Sequence, residues 1–558
     1  MQFIKSCISI TLLFSSLFSF SQSTYLQQGS RDYITAERLE IKAGTNENLN
    51  YSGLKPINRK VLVEEAQKLD SGKIMISETD RYNLRMLYMN NSEWYNGDQS
   101  SFQSRKPILK SLYKTQVNLL EVNKPEFFLA LNPVIQYQQM KESNNNQNTF
   151  LNSRGIVARG LINKKIGFFT YVTDNQERAP GFVQRWEDSV KAVPGAGFLK
   201  AFKANGGYDF FDARGYITFN IAKYVDLQFG YDRNFIGDGY RSLFLSDFSN
   251  NYLFLKLNTR IWKFNYQNLF MELTENSTRS SADTLFPKKY AVMHHLSFNA
   301  TKWLRLGLFE SVIFGRKDHF EFAYLNPIIF YRSIEQQLGS FDNANIGFDF
   351  KANMAKKFQF YGQILFDEFI LKRLKVKGAY ENKYALQLGG KYIDAFGIPN
   401  LDLQLEGNII RPFVYSHFTT VASYTHYNQP LAHPAGANLR EMVAMVRYQP
   451  IPKLFLQGRI IYYQQGVDSS ANSNFGANIF KPNGQRAGND GYFVAKGAHT
   501  NTCLNATLLA SYEIKPNIFI DANLLLRNYK GLYSNLVGNT NVFSLGVRMN
   551  MHRREYNF

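Results

Sequence analysis

Between residues 209 and 275 the chain alternates apolar and polar side chains in paired stretches of about ten residues, joined by clipped turns. In VDLQFGYDR, Val225, Leu227, Phe229 and Tyr231 alternate with Asp226, Gln228, Gly230 and Asp232. A period of two makes a strand with one apolar and one polar face, and no helix has it. The short steps AKY and IWK flank these strands, and a long loop, NFIGDGYRSLFLSDFSN, follows the first pair. The unit recurs with TKW before LRLGLFE, AKK before FQFYGQILFDEF, QPIPK before LFLQGRIIYY and EIKPN before IFIDANLLLRN. Short turns at one end and long loops at the other predict an all-β, antiparallel outer-membrane β-barrel.

Composition bears on the same choice. No later apolar run reaches the roughly 18 residues that a spanning helix requires, and mean hydropathy is −0.31. Phe 47 and Tyr 34 against Trp 4 bring aromatic residues to 15%, which girdles at two membrane interfaces would use. A large Tyr-rich soluble sandwich or propeller is the competing architecture. Lys5, the apolar stretch Ile8 to Phe20 and the small-x-small Ser19-Phe20-Ser21 read as an export signal, residues 1–21, leaving 558 − 21 = 537 residues. Cys7 departs with it outside any lipoprotein-type box, so no lipid anchor is expected, and Cys503 alone cannot close an internal disulfide. Formal charge is +19, or +18 without Lys5. The Lys and Arg are scattered, and an exported chain does not meet nucleic acid. Acidic glycans and outer-membrane lipid are the expected anionic partners, with solvated charge at turns and rims as the alternative.

Residues 22–107 differ from the rest and are expected to form an N-terminal helical region, periplasmic or plugging the barrel. RDYITAERLEIKAG predicts one short strand, KPINRKVLVEEAQKLD a helix with Asn58 as its N-cap, and Ser77 with Asp80 a capping box that opens a second helix. Leu84, Leu87, Tyr88 and Tyr95 share one face of it. Residues 108–558 make the barrel, with strands from 126–140 to 541–552. The tally is about eighteen, and an even number returns both termini to the periplasm. In 401–408, Leu401, Leu403 and Leu405 oppose Asp402, Gln404, Glu406 and Asn408; in 517–527, Ile518, Ile520, Ala522 and Leu524 oppose Asn517, Phe519, Asp521 and Asn523. The lumen is therefore expected to be polar. Phe558 reads as a final-strand aromatic of the kind that barrel-insertion machinery recognises.

Two loops carry the binding chemistry. In 234–250, Gly237 and Gly239 flank Asp238, and Tyr240, Arg241, Ser246 and Asp247 add polar reach. Rings and planar polar groups suit the C–H faces and hydroxyls of a sugar; a loop that folds inward and narrows the barrel is the alternative. In 316–342, Tyr324, Asn326, Pro327, Tyr331 and Arg332 lie close in sequence, and the apolar run is expected to tuck into the lumen or against neighbouring loops. The stretch 176–207 carries Trp186 and several glycines, and 464–500, rich in Asn, Ser and Gly, reads as a mobile surface loop. Catalysis finds little support and no cofactor is expected: there is no Gly-x-Ser-x-Gly elbow, phosphate loop or zinc helix, and an outer-membrane lipase using Ser and His is the least favoured alternative. His294 and His295 are adjacent on a strand and point to opposite faces, and the spacing of His417, His426 and His433 does not converge ligands, so no metal is expected.

NFIGDGYRSLFLSD resembles a segment of the Wzi-type capsule-assembly family, in which a glycine-rich turn precedes a Ser-Leu-x-Leu-Ser run. FEFAYLNPIIFYRSIEQQ resembles a second, and YITAERLEIKAG followed by KPINRK the amino-terminal segment of that family in gliding bacteria. The chain is also similar to the family's RemB-like gliding-motility proteins. The resemblance implies an eighteen-stranded outer-membrane barrel, occluded by internal loops and a periplasmic helical part, that binds surface polysaccharide and organises it as a capsule. The candidate glycan contacts Asp238, Tyr240, Arg241, Asp247, Tyr324, Asn326, Tyr331 and Arg332 come from loop chemistry and not from the resemblance. The alternatives are an accessory of gliding or adhesion whose partner is another envelope protein, and a diffusion porin.

Overall fold

The computed structural model describes residues 22–558 apart from 73, 75, 144, 202–205, 276–284, 318 and 533–537. The expected export signal, residues 1–21, lies outside the described residues. Eighteen antiparallel strands, from Phe127–Glu142 to Thr540–Met549, form one closed ladder, with the short strands Leu120–Lys124 and Lys200–Ala201 added to it. The last strand closes on the first, from Val542 opposite Glu142 to Met549 opposite Ile135, so the ladder has no free edge there. Tight turns join strands at one end. Asn163 and Lys164, and again Ala355 and Lys356, all take positive φ within three-residue connections, between paired Ile162 and Ile166 and between paired Met354 and Phe358.

The alternation sorts faces as expected. Asp402, Gln404, Glu406 and Asn408 are buried inside while Leu405 is 57% exposed outside, and Phe519 and Asp521 face in while Ile520 faces out. Exposed Tyr224, Trp262 and Trp303 ring the tight-turn end.

The lumen carries polar and charged side chains at both ends, Glu177, Lys289 and Glu441 among them near the long loops, but it is not polar throughout, which corrects the expectation. Towards the long loops an apolar core fills it: Leu243, Phe244 and Leu245 pack with Tyr415, Tyr424 and Leu431 against inward-facing Met271, Met293, Phe309 and Ile313. Loops folding in from above replace water along those strands, so their inner faces carry apolar side chains as well.

Residues 31–44, expected to hold a short strand, form a helix, α1 (Asp32–Ala43), ended by Gly44 at φ 71° whose N–H donates to the Glu40 carbonyl. Period two misreads it because both its faces are buried. Ala36 and Leu39 pack with Leu62 and Leu87, while Glu37, Arg38, Glu40 and Lys42 meet opposite charges. The next two helices start where capping residues place them. The Asn58 side chain accepts from the Val61 N–H at the start of α2 (Arg59–Ser71), and Ser77 and Asp80 exchange both capping-box bonds at the start of α3 (Glu78–Asn90). Tyr95 lies beyond α3 but stacks on Tyr88 with centroids 4.5 Å apart. Phe558 is likewise displaced from its expected strand: residues 550–558 leave the ladder and turn into the lumen, where the Phe558 ring lies 5.1 Å from Trp186.

Helix α1 is fixed to the inner wall by ions. Arg38 binds Asp80 (3.1 Å), Asp394 (2.7 Å) and Asp402; Glu37 binds Lys391 and Arg447 (both 2.6 Å); Glu40 binds Lys351 (2.8 Å). Burial acts to raise the Glu37 carboxyl, but Arg447 and Lys391 outweigh it and hold it at about 2; Arg38 does the same for Asp394, also at about 2. Both are depressed, so their stabilisation, roughly 2–3 kcal/mol each, is complete above the unfolded carboxylate range near pH 4 and is lost as pH falls through about 2. Hydrogen exchange of α1 in detergent, corrected for intrinsic rates, is expected to stay slow from pH 7 to 5 and to quicken between pH 4 and 2 while the strands stay protected. Uniform protection of α1 down to pH 2 would contradict this.

Candidate functional site

After strand Val225–Asp232 the chain drops into the lumen. Phe235 and Ile236 pair with Lys55 and Leu54, joining the loop to the N-terminal region. Asp238 binds Arg305 (2.6 Å) and Lys351 (3.0 Å), and its carbonyl accepts from Lys391 (2.7 Å). Burial would raise this carboxyl, but Lys351, Arg305 and Lys391 prevail and keep it well below the usual range. Gly53 passes so close that a Cβ there would lie 2.6 Å from Asp238 Oδ1, which is why a side chain is absent. Glu406 accepts from the backbone N–H groups of Tyr240 (2.6 Å) and Arg241 (3.0 Å). The Arg241 guanidinium binds Glu441 at 3.0 Å and donates to the Asn557 carbonyl at 2.6 Å. Tyr240 bonds the Asn557 side chain, and burial pushes its phenol up.

Between α1 below and residues 550–558 above lies a chamber of about 520 Å³ lined by Glu37, Lys55, Arg233, Tyr240, Asp247 and His552, among others. Burial lowers the His552 imidazole to about 3, so it is neutral at ordinary pH. The tail roofs this space. Glu555 binds Arg459 and Arg553, Arg554 donates to the Pro194 carbonyl (2.7 Å), and Phe558 meets Phe182 and Trp186 on α4 (Gly181–Val190) and Phe248 on the inward loop.

The eight residues picked out by loop chemistry do not form one site. Asp238, Tyr240, Arg241 and Asp247 are inside, where the first and third are buried and bonded and Asp247 is exposed to the chamber. Tyr324, Asn326, Tyr331 and Arg332 lie across the wall. Their segment does not enter the lumen, one of the two expected places, but packs on the outward faces of Val292, Val312 and Phe314 and meets a neighbouring loop where the Phe341 ring lies 5.1 Å from Phe418. Tyr324 and Tyr331 are fully buried there, and Asn326 and Arg332 are exposed. The parity of the strands separates the two groups, since Lys289 and Met293 face in whereas Tyr290 and Val292 face out.

At the long-loop end, 369–382 and 467–498 interlock. Tyr380 N–H donates to the Asn489 carbonyl (3.0 Å) and Tyr492 N–H to the Gly378 carbonyl (2.9 Å); Gly378, at φ 73°, leaves no room for a Cβ beside Tyr492. The Arg486 guanidinium lies 3.5 Å above the Tyr380 ring, and Arg373 binds Glu381 (3.4 Å) and Asp490. The stretch expected to be mobile is thus pinned, with Lys481 also bound to Asp468 (2.7 Å). The result is a rigid outward platform of ring, guanidinium and amide groups, which sequence reasoning missed because its two halves are about a hundred residues apart.

The histidines have separate partners. His426 accepts from the Thr274 N–H (2.9 Å), His433 bonds Glu441 (2.9 Å) and His417 bonds Thr419 (3.1 Å). Among the described residues no three His, Cys, Asp or Glu side chains converge as a metal site.

The profile of the capsule assembly protein Wzi family matches residues 126–521. Among solved structures the chain is similar to Wzi of Escherichia coli, described as an outer-membrane protein involved in group 1 capsule assembly and a carbohydrate-binding β-barrel. Identity is 13%, the alignment covers 96% of this chain and 100% of that one, and the TM-score is 0.58. It is also similar to OprD of Pseudomonas aeruginosa, at 11% identity over 75% of this chain and 94% of that one, with a TM-score of 0.42. No curated protein matches the sequence.

Removing Arg241 leaves Glu441 with His433 and the Asn408 amide but no full cation, and frees the Asn557 carbonyl, a loss of order 3 kcal/mol for a broken buried pair. Trypsin is expected to cut Arg241→Ala after Arg553 or Arg554 under conditions where the parent chain resists. Equal resistance would show that the pair does not hold the tail.

Proposed function

Because this chain belongs to the family of the capsule assembly protein Wzi, we propose that it binds a surface polysaccharide on its long-loop face and holds it at the cell outer membrane. The barrel sits in that membrane, with exposed Leu405, Leu508, Phe543 and Leu545 towards lipid and the helices at the periplasmic mouth.

The observation that carries the reading is the filling of the lumen. Ion-paired α1, the Asp238 and Arg241 locks and the apolar core of folded-in loops succeed one another along the axis. A polymer therefore meets the outward platform and not a pore, and binding, not passage or catalysis, is the activity proposed. Tyr380 supplies a ring face for sugar C–H groups, while Arg486, Arg373 and the Asn489 side chain supply donors for hydroxyls or acidic groups. Asp238, Tyr240 and Arg241 act by holding the scaffold beneath, whereas Asp247 faces the lumen chamber and Asn326 and Arg332 lie on the outer wall, away from this face.

Tyr380→Ala and Arg486→Ala are each expected to weaken binding of purified surface polysaccharide about tenfold, which is about 1.4 kcal/mol, and to reduce capsule retention while folded protein still reaches the outer membrane. Unchanged binding and retention in both variants would overturn the platform. Normal capsule with defective colony spreading in a deletion strain would favour the gliding accessory instead.

A further inference from the structure

The segment from Phe320 to Phe341 runs along the outside of the barrel. Its ends are pinned together at the wall by Arg316 and Asp342, bonded at 2.8 and 2.6 Å, and the Tyr324 hydroxyl donates to the same carboxylate at 2.7 Å. Beneath it the outward faces of three strands carry Tyr266, Asn268, His294 and Glu310, side chains foreign to a lipid-facing wall. The segment covers them. Helix α5 (Tyr331–Gln337) starts on Glu310, which accepts from the backbone N–H groups of Tyr331 (2.9 Å) and Arg332 (2.8 Å). The Tyr331 ring lies against His294 with centroids 3.8 Å apart, and Tyr266 bonds the same imidazole at 3.0 Å.

The depth of this patch decides what surrounds it. Glu310 stands seven residues along its strand from Trp303 in the aromatic girdle, 310 − 303 = 7. At about 3.3 Å per residue and a tilt near 40°, that is roughly 18 Å up a hydrocarbon band about 25 Å tall. On the same face Leu306, Leu308 and Phe348 are exposed as part of the lipid belt. The outer side of the segment continues that belt: Phe322 is 76% exposed, Ile328 83% and Phe330 64%, and Leu325, Leu338 and Phe341 are exposed beside them. So many exposed large apolar side chains on one segment are costly in water and favourable against acyl chains. The exposed Arg332 has a long stem that lets its charge reach the headgroup layer.

We propose that residues 320–341 form a membrane arm, seated in the outer leaflet between the barrel wall and the lipid acyl chains, that shields the outward Asn268, His294 and Glu310 from hydrocarbon. Its occupant is lipid, because Phe322, Ile328 and Phe330 are exposed on the side of the barrel where Leu306, Leu308 and Phe348 form the lipid belt.

The test uses the full chain in phosphatidylcholine–phosphatidylglycerol vesicles. Single thiols introduced by Phe330→Cys or Ile328→Cys carry an environment-sensitive fluorophore. Leu308→Cys serves as the lipid-facing comparator and Asn489→Cys as the water-facing one, and the parent chain reports background from buried Cys503. Labels at 330 and 328 are expected to be quenched by acyl-chain nitroxide lipids to within about twofold of the Leu308 label, and to resist iodide. Iodide quenching equal to that at Asn489 overturns the proposal, since the arm is then in water. Protection from both quenchers also overturns it, since a second protein copy then covers the arm.

Discussion

Asp238 stands where three distant parts of the chain meet: its own inward loop, the wall through Arg305 and Lys351, and the N-terminal region, whose Gly53 touches it and whose Glu40 shares Lys351. A carboxylate at that depth is tolerated only because opposite charges surround it, and those charges are tolerated for the same reason. The constraint runs along the lumen, where Arg38 faces three carboxylates, Glu37 two cations and Arg241 a glutamate. Such pairs add modest net stability against an apolar packing. Breaking one strands its partner, and the cost falls on the single arrangement in which every partner is met.

That arrangement explains what the sequence disclosed and what it concealed. The ladder was legible because Leu405 against Asp402 and Glu406 is a local pattern, fixed by lipid on one side and filled lumen on the other. Asn58 and the Ser77–Asp80 box announced two helices for an equally local reason. Helix α1 was not legible, since Glu40 and Lys42 are buried among partners far away in the chain and imitate alternation. The Arg241–Glu441 pair, the tail that meets it through Asn557, and the Tyr380–Arg486 platform depend on contacts across 106 to 316 residues by number difference (486 − 380 = 106, 441 − 241 = 200 and 557 − 241 = 316). No periodicity encodes such distances.

The candidate residues show the same division. Loop chemistry found the 234–250 and 316–342 segments because both are unusual in composition, yet it could not say which side of the wall each would take. Parity decides that, and only the assembled ladder reveals it: Phe244 stacks inside on Phe309 at 4.4 Å, while Tyr331 lies outside on His294. The apolar character that marks one loop as a lumen filler marks the other as a covering of the outer wall. A barrel filled in this way is a stiff support for its long loops, and a stiff support is what recognition of an extended polymer from one face requires.

The central claim is that the lumen is occluded by ion-paired side chains and folded-in loops on either side of its chamber, so that the protein works from its surface. Planar-bilayer conductance of the purified full chain tests it most directly. The account predicts a baseline without steady steps at moderate voltage and salt. A large, stable ohmic current through single insertions would contradict it.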